Sequence, residues 1–353
     1  MDSQTVPQER VRIFNREGYP IAEFMTSVER SWALVGEGRA LFTFSTRKTD
    51  VVNEKVLQFG NWLLVESTAL PPWVGVIDVP REWSPRVVAV HAYTPERVFG
   101  WRRGPLEEKI TQPAGAIFER ILSLVNENDP TVIRAGDIWK GGTVHEETLN
   151  ATPLSEDLER IVERSGEEYR WRPVIDDAGR LIVYADWMQV LGSVSSALLL
   201  EGKNGGNIEA LNNILVEDGD ILNEVLAYGD GQSWTSRPYA IVSDAASMGK
   251  YGLRQKAENY SGVVSVVTLN DNGTELIASQ KEPIRSFHIN ALNVGDTFKY
   301  LQIGNSLKLQ FENIGFTAGG LGYETTIRIV AMAYDPTTDK NAVELVVEEV
   351  VNV

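Results

Sequence analysis

Strict alternation near the end of the chain constrains the fold more than any other feature. Tyr323, Thr325, Ile327, Ile329, Ala331 and Ala333 occupy every second position, and after turn residues at 335–340 the pattern resumes at Val343, Leu345 and Val347. A period of two puts these side chains on one face of an extended strand, and two such runs joined by a turn predict an antiparallel pair with one face in a core. A sheet of this kind has edges that must be closed into a barrel, covered or paired with a neighbour.

The same grammar of short β-branched or aromatic runs between turn residues governs residues 1–98. Residues 11–14, the turn Asn15, Arg16, Glu17, Gly18 and residues 19–24 predict a hairpin. Further strands are expected at 40–45, where Phe42 and Phe44 share a face, and at 62–66, 73–79 and 87–92. Together they predict a small antiparallel barrel or sandwich.

Between 99 and 190 two segments acquire a period near 3.6. Ala114, Ile117, Phe118, Ile121, Leu122 and Val125 form one apolar stripe, with Pro113 suited to the first turn and residues 126–130 ending the helix. Thr152 is placed to cap a second helix, with Pro153 next, Leu154, Leu158, Ile161 and Val162 on one face, and Gly166 as the stop. A hairpin follows over 169–175, the turn Asp176, Asp177, Ala178, Gly179, and 181–187.

From 191 onward strands are expected at 197–200, 208–210, 221–228 and 239–243, with the sharpest turn at Asn204, Gly205, Gly206, Asn207. The stretch 261–292 reads two ways, as a strand over 263–269 and as a helix over 274–279. The predicted fold class is mainly β with an α+β insert: a first barrel over 1–98, an α+β insert over 99–190, and a strand-rich linker region with a second barrel over 191–353. No repeat of 20 to 50 residues underlies this order.

Composition narrows function by exclusion. A chain of 353 residues exceeds what one core usually holds, and 43% hydrophobic with 23% charged residues excludes global disorder. With no cysteine, disulfides, thiolate nucleophiles and zinc–thiolate or iron–sulfur sites are excluded. Residues 1–12 are polar and no stretch approaches about 18 apolar residues, so neither export by the usual route nor a membrane span is expected. Lys and Arg total 33 against 49 Asp and Glu, and the formal charge of −16 opposes stable contact with nucleic acid or anionic membranes.

No motif supplies a reaction centre. His91, His145 and His288 stand apart, and His145-Glu146-Glu147-Thr148-Leu149 lacks the second imidazole of a zinc helix. There is no Gly-x-Ser-x-Gly elbow; Gly36-Glu37-Gly38 lacks the third glycine of a dinucleotide turn, and Gly249-Lys250 lacks the glycine spacing and hydroxyl of a phosphate loop. Asp271-Asn272-Gly273 and Asp176-Asp177-Ala178-Gly179 fall short of a calcium ladder and suit tight turns. Glycoside hydrolysis needs only two carboxyl groups about 5–9 Å apart, but the nine tryptophans (Trp32, Trp62, Trp73, Trp83, Trp101, Trp139, Trp171, Trp187, Trp234) are spread over every module instead of marking one groove. No catalytic, cofactor-binding or metal-ligating residue is assigned, no cofactor is implied, and the expectation is that the chain is not an enzyme.

Three places resemble the tail hub proteins of long-tailed phages and related contractile machines, the group of siphovirus tail-associated hubs and myovirus baseplate hubs. The hairpin over 11–24, Gly38-Arg39-Ala40-Leu41-Phe42-Thr43-Phe44, Gly60-Asn61-Trp62 and Trp73-Val74-Gly75-Val76-Ile77 look like that family's first barrel. Ser247-Met248-Gly249-Lys250-Tyr251-Gly252-Leu253-Arg254 looks like its Tyr-Gly-x-Arg segment, and 295–309 with 328–347 look like its closing barrel.

This resemblance implies a homotrimer in which each subunit contributes two tube-like antiparallel barrels, so that three chains match a six-fold tail tube. It implies a distal tail protein or tube ring as one neighbour, tip, spike or fibre proteins as others, the tape measure protein as a further contact, and DNA only in transit. The place is the virion tail, assembled in the host cytoplasm, and the acidic charge suits a lumen that repels exiting DNA. Many relatives continue into a lytic or fibre-like region; here the chain stops at Val353, so such activity is expected to lie elsewhere. The competing readings are a carbohydrate-binding module or glycan hydrolase on a β scaffold, and an unrelated cytoplasmic β-rich interaction protein.

Overall fold

The computed structural model describes residues 9–47, 53–201, 206–209, 214–218, 221–231, 236–317 and 320–350. The expected turn residues Asn204 and Gly205, the strand end Ala210, and Trp234 lie outside them.

The first seven strands are β1 (Glu9–Phe14), β2 (Pro20–Met25), β3 (Glu29–Ala33), β4 (Arg39–Ser45), β5 (Trp62–Ser67), β6 (Trp73–Trp83) and β7 (Val87–Tyr93). They hydrogen-bond antiparallel in the order β3-β4-β7-β6-β5-β1-β2. The rings of Phe24 on β2 and Phe44 on β4 meet edge-on at 4.8 Å, so the sheet rolls round a core of Val11, Ile13, Phe42, Leu63, Val65 and Ile77. The unbroken apolar runs of β5 and β6 have a physical reason. Leu63, Val65, Trp73 and Ile77 fill this core, while Trp62, Leu64, Val74 and Val76 turn outward into a second one. Strands buried on both faces lose the polar alternation.

That second core belongs to the insert: α1 (Glu96–Gly100), β8 (Glu107–Pro113), α2 (Ala114–Glu127), β9 (Ile133–Ile138), β10 (Val144–Asn150), α3 (Leu154–Ser165), β11 (Glu168–Ile175) and β12 (Leu181–Met188). β8 pairs with β10, and β11-β12-β9 form a separate sheet in which β12 and β9 are parallel. The stripe of α2 is buried as its period requires, and Trp187 stacks on Phe118 at 4.7 Å. One detail differs from expectation. Pro153, not Thr152, is the residue before α3, and Thr152 Oγ1 lies 3.5 Å from Asp157 Oδ1 without capping a backbone N–H. Gly166 does end α3, in the left-handed region at φ 65°.

The remaining elements are β13 (Val194–Leu200), β14 (Ile214–Asp218), β15 (Glu224–Tyr228), β16 (Tyr239–Ser243), α4 (Ala245–Tyr251), β17 (Gln255–Asn259), α5 (Val266–Gln280), β18 (Ile284–Leu292), β19 (Ser306–Thr317), β20 (Gly320–Tyr334) and β21 (Ala342–Glu349), with a 3-10 turn at Thr297–Tyr300. β14-β18-β21-β20-β19-β13 wrap a core of Phe287, Ile289, Leu309, Phe311, Ile329 and Leu345. β20 also pairs with β3, so the two wrapped halves form one 13-stranded sheet.

The predicted alternation along β20 holds to Ile329 and then fails. Ile329 and Ala331 oppose consecutive residues of β21, Val347 and Val346, so Val330 is an extra residue, a β-bulge. The bulge turns Met332 and Tyr334 into the core in place of Ala331 and Ala333.

The strand expected over 263–269 is also corrected. Ser265 caps α5, its Oγ accepting from Thr268 N, and Leu269, Gly273 and Ile277 at spacings of four face β15 and β16. A β-branched run therefore opens a helix, and Asp271, Asn272 and Gly273 lie within that helix, not in a turn. Gly273 is there because a Cβ would come 2.9 Å from Val242 Cγ2 on the sheet below. With β16-β15-β17 and α4, this helix makes a second α+β unit between the strands of the closing half.

Candidate functional site

In a body built largely of β-sheet, joints and edges are the places where strands meet one another or a neighbour. The central joint is β3 against β20, where Arg30 opposes Tyr334 and Trp32 opposes Met332. Arg30 is fully buried and ion-paired with the equally buried Glu9 of β1, whose second oxygen accepts from Val28 N at 2.9 Å. The guanidinium lies 5.1 Å from the Trp32 ring centroid and 5.0 Å from that of Tyr334, within cation–π range. Burial pushes the Tyr334 hydroxyl up to about 12, so it stays neutral beside this pair.

A second joint ties the insert to the closing half. Arg328 of β20 makes a bidentate pair with Glu168 of β11 and donates to the carbonyls of Gly304 at 3.0 Å and Leu191 at 2.8 Å. Glu168 also accepts from Leu191 N at 2.6 Å. Gly192 and Gly304 cross here at φ 87° and 85°, and a Cβ on Gly192 would lie 2.2 Å from the Gly304 carbonyl. Backbones this close need glycine at both places.

The large sheet leaves open edges. β2 pairs only with β1, β14 only with β18, and β13 only with β19 among the described residues. Met25 on β2 and Val194 on β13 are exposed apolar side chains on these edges. Unpaired strand edges can accept a neighbour's strand.

One titrating group stands out. Glu96 of α1 is only 9% exposed, and burial pushes its carboxyl up to about 7 despite opposing interactions with Thr94, Trp171 and Tyr169. A carboxyl with a raised folded pKa contributes stability that is fully present below its unfolded value near 4.5 and is lost as pH rises through about 7. Stability should therefore fall by about 2 kcal/mol between pH 5 and pH 8 from this group. Glu96→Gln should flatten that part of the profile in denaturant melts; an unchanged slope would show that Glu96 is not the cause.

No family model and no curated sequence matches the chain. Solved structures do. A prophage tail protein from Listeria monocytogenes superposes with TM-score 0.59 at 12% identity, over 96% of this chain and 94% of that one. The 43 kDa tail protein of prophage MuSo2 from Shewanella oneidensis gives 0.58 at 12% identity, over 96% and 98%, and a tail protein from Neisseria meningitidis gives 0.57 at 13%, over 97% and 96%. The chain has the fold of phage tail proteins.

His91, His145 and His288 lie on β7, β10 and β18, and burial holds the His145 imidazole below its usual pKa. Among the described residues, no group of three or more His, Asp or Glu is placed to hold a metal ion, and no helix is long and apolar enough to cross a membrane. Asp176 Oδ1 accepts from Ala178 N and Arg180 N, which makes it a turn residue. The tryptophans are less scattered than their spacing implies, since Trp32, Trp73 and Trp171 line one cavity. Glu9, Arg30, Glu168, Arg328 and Glu96 do not stand out in sequence, because each has partners on segments far away in the chain.

Proposed function

We propose that the chain is a structural component of a phage-type tail, the homotrimeric hub that ends the tail tube and joins it to tip or spike proteins, with DNA passing through on ejection. One observation carries the reading: two wrapped sheet halves, each with its own core, fused through β3 and β20 into one hydrogen-bonded body whose fold matches tail proteins from end to end.

In this reading the wrapped halves within 1–98 and 191–353 are the two tube-like barrels, and residues 99–190 are the insert that braces them. Three copies then present six barrels to a tube ring, the open edges of β2, β13 and β14 serve neighbouring strands, and the place is the virion tail after assembly in the host cytoplasm. The distal tail protein, tip or fibre proteins and tape measure protein are the partners this geometry would meet. The role is architectural and calls for no reaction.

Light scattering on the purified chain across concentrations should give a particle of three times 39.2 kDa, with a central hole in negative-stain images. A monomer at every concentration, with no ring on mixing with tail tube protein, would overturn the hub.

A further inference from the structure

The second α+β unit has a core of its own, in which Leu269 and Ile277 of α5 pack with Val225 and Ala227 of β15. Its sheet runs β16-β15-β17, so β16 and β17 are both edges, each paired only with β15 among the described residues. β16 reads Tyr239, Ala240, Ile241, Val242, Ser243: five residues with no charge, no proline and an unbroken register against β15. Tyr239 and Ile241 are 59% and 61% exposed. Apolar edges left open invite pairing, and folded chains blunt them with charge, proline or a bulge. Other edges of this molecule show such devices: Pro20 and Glu23 on β2, Lys256 and Glu258 on β17, and a break in register between Val194 and Leu198 on β13. β16 has none, which marks it as an edge that is paired in the assembled state.

Symmetry, direction and charge select the strand that pairs with it. Copies set around a three-fold axis cannot join an edge to itself; each contact joins two different edges. β17 is the other open edge of the same sheet and is also five residues long. β15 is antiparallel to β16 and parallel to β17, so β16 meets the β17 of a rotated copy antiparallel. Ile241 and Ala257 both stand opposite Leu226, hence on one face, and setting Ile241 against Ala257 of the next copy keeps apolar residues together. In a chain of charge −16, copies meet most readily through edges without net charge. β16 is uncharged, and Lys256 and Glu258 of β17 pair with each other at 2.8 Å. β17 also borders a cleft of about 820 Å³ shared with α5 and α3, which leaves space beside that edge.

We infer that β16 is the strand by which one copy joins the next, hydrogen-bonding antiparallel to β17 of its neighbour so that the three small sheets close into a ring. The inference rests on the trimeric hub reading and names a contact that would hold the trimer together.

The test uses the absence of cysteine from the chain. Within one copy Ile241 and Ala257 flank Leu226 on either side, two strand spacings or about 9–10 Å apart, beyond the 4.4–6.8 Å that a disulfide spans between Cα atoms. Across the proposed contact they stand opposite, at about 4.5–5.5 Å. Oxidation of the double variant Ile241→Cys, Ala257→Cys should therefore give a covalent trimer on a non-reducing gel, while neither single variant cross-links. Ile241→Lys puts a charge on the exposed edge and should raise the concentration for half-trimerisation at least tenfold with circular dichroism unchanged. A disulfide dimer from Ile241→Cys alone would mean that β16 pairs with itself about a two-fold axis and would overturn the proposal. So would a ladder running past the trimer, or unaltered assembly of Ile241→Lys. Trimers by light scattering that fail to cross-link would sink this contact and leave the hub standing; the absence of any trimer would sink the hub reading and the contact with it.

Discussion

Glu9→Ala is expected to lower the unfolding free energy by about 3–5 kcal/mol, because it leaves a fully buried guanidinium without its counter-charge. Water does not reach Arg30 to replace the carboxylate, and the Trp32 and Tyr334 rings offer only the weaker cation–π attraction. Pairing Glu9→Ala with Arg30→Met should recover most of the loss, since a methionine removes the unpaired charge and still fills the space between the two rings. Denaturant titration of the parent, the two single variants and the double variant measures this directly. A single variant within about 0.5 kcal/mol of the parent would mean that the pair does not hold the β3–β20 joint.

Arg328→Met should cost about 3 kcal/mol by stranding Glu168, and its signature should be local as well as global. Arg328 is the side chain that binds Glu168, Gly304 and Leu191 together, so its loss frees the connector between β12 and β13. Gln189, Val190 and Gly192 in that connector are already exposed. Limited proteolysis should therefore show a new early cut between the insert and the closing half under native conditions. If the variant were destabilised without that cut, Arg328 would be stabilising the closing half alone rather than coupling the two.

Much of the architecture was legible because it is local. The stripe of α2 and the alternation of β21 each follow from one period read within the segment itself. The apolar runs of β5 and β6 announced burial, but not that two different cores share them, since the second core is supplied by the insert. Where a residue's role depends on what packs against it, local reading failed. Val266 and Val267 have strand propensity, yet the Ser265 cap and the face of Leu269, Gly273 and Ile277 make a helix. Val330 looks like any strand valine, and only the pairing with β21 shows it to be the bulge that reverses which side chains enter the core.

The candidate site was less legible still. Trp32 and Trp171 belong to different modules, and Glu96 begins a helix of five residues with nothing in its neighbours to suggest a buried acid. Sequence spacing told of scattered tryptophans; chain folding gathers three of them. The ion pairs at Arg30 and Arg328 are equally silent in sequence, because a charged residue within a strand is ordinarily a solvated one.

The joint between β3 and β20 also dictates an order of events during synthesis. β3 is made long before β20, the strand it pairs with. Until then the first half waits with one margin unmated and a buried-type arginine near it, a state prone to wrong partners. Completion depends on a contact spanning nearly the whole chain, and such long-range closure is slow. Emergence of β20, rather than of any earlier module, is thus the step that commits this joint to its native form.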